Sequence, residues 1–100
     1  MLSITPTLDG NTLTLALAGR LDTDTSADLD DAVSGISPSV TNLVIDMDEL
    51  EYVSSSGLRA LLVATKMMRT RGGDCTLTNV AELIIETFDM TGLLGVFTIV

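Results

Sequence analysis

The sequence predicts an α/β domain: a mixed β-sheet of parallel βαβ units with an antiparallel N-terminal hairpin, and helices packed on the sheet. Three observations carry this. Leu13, Leu15 and Leu17 alternate with polar or small residues, the period of a strand with one buried face. Asp9-Gly10-Asn11 separates two extended segments and supplies turn residues that tolerate positive φ. Further along, short strand-like runs alternate with helical patterns, which implies parallel pairing through right-handed crossovers.

The elements follow in order. Ser3-Ile4-Thr5 opens the first strand, and Thr12 to Ala18 forms the second. Gly19 to Thr23 is a loop. Thr23 or Thr25 then caps a helix to about Ser34, with Ala27, Leu29, Ala32 and Val33 as inward candidates and Asp28 in the first turn, where the helix dipole favours a carboxylate. Gly35 to Ser39 is a connector. Asn42 to Asp46 reads as a central strand covered on both faces. After a serine-rich loop, Gly57 to about Thr70 is the strongest helix, ended by Arg71-Gly72-Gly73 with glycine at the C′ position. Cys75 to Asn79 is a strand. Val80 to about Asp89 is a helix with Leu83, Ile84 and Phe88 inward, stopped by Thr91-Gly92-Leu93, and Val96 to Val100 is a last short strand.

Composition bounds what this domain does. A length of 100 residues is one domain, and 46% hydrophobic residues with 3% aromatics gives an aliphatic core. The single cysteine, Cys75, has no partner for an internal disulfide and reads as a buried, reduced thiol of a cytoplasmic protein. No signal-peptide pattern and no apolar run of membrane-spanning length is present. The net charge of −9 repels nucleic acid and anionic membrane, so neither is an expected partner. An acidic surface instead suits solubility or a basic protein partner.

Catalysis is disfavoured residue by residue. The chain has no histidine, which removes the Ser-His-Asp triad and histidine metal sites, and one cysteine makes no zinc cluster. No P-loop is present. Asp30-Asp31 and Asp22/Asp24 do not converge with a nucleophile and read as solvated surface. Lys66, the only lysine, lies ~15 Å along its helix from the serine loop, beyond general-base contact. No enzyme activity, cofactor, metal or small-molecule substrate is expected.

The most informative stretch is Tyr52-Val53-Ser54-Ser55-Ser56-Gly57-Leu58. One of the three serines caps the following helix, which contributes about 1 kcal/mol and requires no function. The same helix entrance, with unpaired backbone N–H groups and a positive dipole end, also tolerates an anion or a phosphate of about −1.5 to −2 charge. On the helix, Leu58, Leu61, Leu62, Thr65 and Met68 point inward. Ala60, Val63 and Met67 fall on another side, flanked by Arg59 and Lys66. That second side is either a broad core face or a partner surface.

The serine segment after Leu43-Val44-Ile45-Asp46, together with Ala18-Gly19-Arg20-Leu21-Asp22 and Leu83 through Phe88-Asp89-Met90-Thr91-Gly92-Leu93, resembles the STAS domain (sulfate transporter and anti-sigma factor antagonist) over nearly the whole chain. The length is similar to that of standalone bacterial anti-sigma factor antagonists. The resemblance implies a partner-switching regulator that binds an anti-sigma factor of the serine-kinase type and frees the sigma factor. Phosphorylation of a loop serine by that kinase ends the interaction, and a serine phosphatase restores it. Carried over by position, the phosphoacceptor is Ser55, with Ser54 and Ser56 as alternatives. The implied partner-binding residues are Asp22, Asp24, Ser54, Ser56, Gly57, Arg59, Ala60, Val63 and Met67. The family loop usually reads Asp-Ser-Ser/Thr-Gly, and Ser54 stands where that aspartate would be. This departure keeps open an alternative: an unphosphorylated STAS-type binding module of a transporter or another signalling complex.

Overall fold

The computed structural model describes all residues, Met1–Val100. The elements run β1 (Leu2–Asp9), β2 (Thr12–Leu21), α1 (Ser26–Ser34), β3 (Asn42–Val53), α2 (Ser55–Thr70), β4 (Asp74–Thr78), α3 (Glu82–Met90) and β5 (Thr98–Ile99). The five strands lie in sequence order, β1-β2-β3-β4-β5. β1 and β2 are antiparallel across the Gly10-Asn11 turn, and the remaining neighbours are parallel. Gly10 carries the positive φ of 60° in that turn, the role a glycine takes at the first central position of a type II′ hairpin. No helix is long and apolar enough to cross a membrane.

A parallel order that steps always to the next strand winds in one direction, so right-handed crossovers bring all three helices to one face. The burial pattern agrees. Leu15 and Leu17 of β2, Leu43, Ile45 and Met47 of β3, and Cys75 and Leu77 of β4 are buried and join one core with Leu29, Leu61, Ile84 and Phe88. Val44, Asp46 and Thr76 point the other way and are half-exposed. The expectation that β3 is covered on both faces is therefore corrected: β3 is central by pairing but covered on one face only. Burial pushes the Cys75 thiol up from its ordinary pKa, which keeps it protonated.

Other boundaries and faces also differ from the sequence reading. β3 continues to Val53 rather than stopping at Asp46, because two register shifts against β2 carry its pairing on to Leu21↔Val53. The last strand is only Thr98–Ile99. Ala27 is exposed, Leu62 is half-buried, and Leu83 is 76% exposed, while Leu29, Val33, Ile84 and Phe88 fill the core. α2 and α3 both end in Schellman caps. Gly72 (φ 79°) and Gly92 (φ 76°) take the left-handed C′ position, and Gly73 N donates to Met68 O at 2.8 Å as Leu93 N does to Phe88 O at 2.9 Å.

Candidate regulatory loop and the α1–α2 groove

The register of β2 against β3 brings the exits of both strands side by side, at the carboxyl ends of the parallel strands, where open α/β sheets present their sites. Ser54 N donates to Leu21 O at 2.8 Å and ties the two following loops together. Gly57 is buried against the same carbonyl. A Cβ there would lie 2.6 Å from Leu21 O and 2.8 Å from Leu21 Cγ. Glycine is required at this position for close approach, and Gly57 offers no surface to a partner.

The three serines have three different surroundings. Ser54 is the N-cap: its backbone is extended and its Oγ accepts from Gly57 N at 3.1 Å. The helix accordingly starts at Ser55, two residues before the sequence-based start at Gly57. Ser56 is half-buried and its Oγ lies 3.5 Å from Thr23 Oγ1, the outer limit of a hydrogen bond between the two loops. Ser55 is exposed, and its hydroxyl has no partner within the chain. Ser54→Ala is expected to cost about 1 kcal/mol in urea unfolding, whereas Ser54→Asp leaves stability within about 0.5 kcal/mol, because Asp and Ser cap equally well. The capping role that an aspartate would fill at this position is thus still performed.

Asp22 builds the neighbouring loop. Its Oδ1 accepts from Asp24 N at 3.0 Å and Thr25 N at 3.0 Å. The Thr25 hydroxyl lies 2.8 Å from Arg20 O and 3.1 Å from Asp22 Oδ1, with its single proton available to either acceptor. Thr25 is the N-cap of α1 by position, but no side-chain capping bond to the helix forms, because its hydroxyl is turned back into the loop. The Thr25 N–H is the main cause holding the Asp22 carboxyl below its ordinary pKa of 3.8; partial desolvation opposes it, and the Thr25 hydroxyl and Asp24 N–H add to it. A folded-state pKa below the unfolded one stabilises the loop above the unfolded value and is lost as pH falls through the folded one. Carboxyl-carbon NMR is expected to show Asp22 titrating below 3.8, with the Asp24 and Thr25 amide signals moving in the same step.

α1 and α2 pack side by side and leave a groove of about 590 Å³ that starts at the serine loop. Val33 and Ala60 are buried in its floor. Val63, 49% exposed, and the half-buried Met67 form its apolar side, and Arg59, Asp30, Ser26, Ser34 and Ser56 supply polar groups. Of the second side of α2, read from sequence as either core face or partner surface, Ala60 at 3% exposed belongs to the core, while Val63 stays open to solvent. Of the residues singled out from sequence, Ser56, Arg59, Ala60, Val63 and Met67 are brought together here, Ser54 and Asp22 shape the loops beside it, and Asp24 is exposed in the β2–α1 loop. The α1 wall was not identified from sequence. Ser26, Asp30, Val33 and Ser34 recur at helical spacing, but nothing in that spacing says which face meets α2.

Lined in this way, the groove combines an apolar floor with polar rims and begins beside the exposed Ser55 hydroxyl. Comparisons with known proteins agree with the fold that positions it. The anti-sigma-B factor antagonist of Bacillus subtilis is 28% identical over 89 residues, 89% of this chain and 82% of that protein. The crystal structure of an anti-sigma factor antagonist from Mycobacterium paratuberculosis superposes with a TM-score of 0.86 at 20% identity, covering 99% of this chain and 85% of that one. The Bacillus cell fate determinant SpoIIAA in its phosphorylated form superposes with a TM-score of 0.69 at 19% identity, covering 98% and 91%. The model of the STAS domain matches residues 3–100, so the chain belongs to the STAS domain family.

Proposed function

We propose that this protein is an anti-sigma factor antagonist, a non-enzymatic binding protein that takes an anti-sigma factor of the serine-kinase type into the α1–α2 groove and so frees a sigma factor. Phosphorylation of Ser55 by that kinase ends the interaction, and a serine phosphatase restores it. The observation that carries this reading is the position of Ser55. Its hydroxyl is exposed and without a side-chain hydrogen bond at the first residue of α2, next in sequence to Ser56, which lines the groove. The Ser54 oxygen is turned to the Gly57 N–H as the cap acceptor and is half-buried there, whereas Ser55 is exposed and engaged in no such contact. The helix dipole favours a phosphate at this position. The relatives named as anti-sigma factor antagonists support the same reading.

The test is incubation with the anti-sigma kinase of the same organism and ATP, followed by intact mass, peptide mapping and calorimetric binding. One phosphate on Ser55 and a loss of affinity on the order of 100-fold are expected, because a doubly charged group is placed in a contact surface. Ser55→Ala is expected to bind and to resist modification. Binding without phosphate anywhere on Ser54 to Ser56 overturns the switch. Recovery of a transporter subunit in place of an anti-sigma factor overturns the assignment of partner.

A further inference from the structure

The five basic side chains are not equally free. Arg20 lies over the Tyr52 ring at 4.3 Å, Arg69 Nη2 donates to Val96 O at 2.8 Å, and Arg71 Nη1 donates to Ser37 O at 2.9 Å. Arg59 and Lys66 make no hydrogen bond within the chain, and both are exposed on α2. Arg59 stands four residues after Ser55 on the same helix and lines the groove, with Asp30 on the facing wall. An i,i+4 pair lies on one helix face, and the order of anion before cation is the favourable one.

We propose that a phosphate on Ser55 is held by Arg59 of the same chain, so that phosphorylation withdraws the one free cation lining the groove as well as adding negative charge. This rests on Ser55 being the modified residue. The axial separation of about 6 Å is within the span of an arginine side chain. The planar guanidinium offers a phosphate two parallel N–H donors. Lys66 is roughly 16 Å along the axis and out of reach. Asp22 and Asp24 in the adjoining loop and Asp30 across the groove oppose the phosphate; the helix dipole and Arg59 favour it. Because Ser54 is uncharged, no carboxylate stands directly before the phosphate to compete for Arg59.

Phosphoserine installed genetically at position 55 tests this without any kinase. Phosphorus NMR would follow the second ionisation of the phosphate in the wild-type, Arg59→Gln, Arg59→Lys and Lys66→Gln backgrounds. The Arg59→Gln protein is expected to titrate at least about half a unit above wild type, since losing a paired cation disfavours the dianion. Arg59→Lys should fall between them, and Lys66→Gln should match wild type. Equal titration of wild type and Arg59→Gln overturns the proposal. A kinase that ignores Ser55 would instead count against the proposed function and leave this result standing.

Discussion

Phe88→Ala is expected to remove about 3–5 kcal/mol from the stability of the domain, the cost of leaving a ring-sized cavity in a packed core. Phe88 is fully buried on α3, and its ring centroid lies 4.9 Å from that of Phe97. The pair fastens α3 and the segment leading to β5 onto the core. Only two phenylalanines are present, so the substitution also leaves Phe97 without its ring partner. In a domain of this size the loss corresponds to a fall in Tm on the order of 15–30 °C. Leu83→Ala on the same helix is the control. Its side chain is 76% exposed, and the change is expected to stay within about 0.5 kcal/mol. Urea denaturation of the two variants measures both, and equal losses would overturn this account of the α3 core face.

Gly57→Ala is expected to destabilise by roughly 1–3 kcal/mol through overpacking, even though alanine is the better helix former by about 1 kcal/mol. The added methyl meets Leu21 O at 2.6 Å, Leu21 Cγ at 2.8 Å and Val53 Cγ1 at 3.1 Å. That carbonyl is held in place by the 2.8 Å bond from Ser54 N, so relief requires the two loops to part. The substitution should therefore also raise amide exchange at Ser54. Gly95→Ala is the comparison: a Cβ there meets nothing within 4 Å, so stability is expected to be unchanged or slightly raised. A Gly57→Ala protein as stable as the parent would show that the two loops are not joined as described.

The sequence was legible where one local signal had one reading. The alternating leucines of β2, the Asp-Gly-Asn turn, the glycine stops after α2 and α3 and the order of elements all followed from period and turn chemistry. Legibility failed where the chain changed its manner of pairing. β3 beyond Asp46 is acidic and loses its alternation, since register shifts let Leu50 and Val53 turn inward without it. Leu83 and Ile84 are adjacent apolar residues, and only packing decided that Ile84 goes in. The serine loop was found from composition, but the division of tasks among its hydroxyls was not, because three serines look alike until the backbone assigns a cap. The groove was half legible: its α2 side showed as a second apolar stripe, while its α1 side depends on which helices are neighbours.

The clamping of the serine loop between Leu21 and the start of α2 has a thermodynamic consequence. The segment is already ordered at both ends, so a partner that docks there does not have to immobilise it. Little conformational entropy is lost from this side of the interface. Binding at this loop would then turn on charge rather than on refolding, and charges at an exposed loop are screened by salt over about 8–10 Å. The strength of any complex formed at this loop should follow the ionic strength of the surroundings more closely than their temperature.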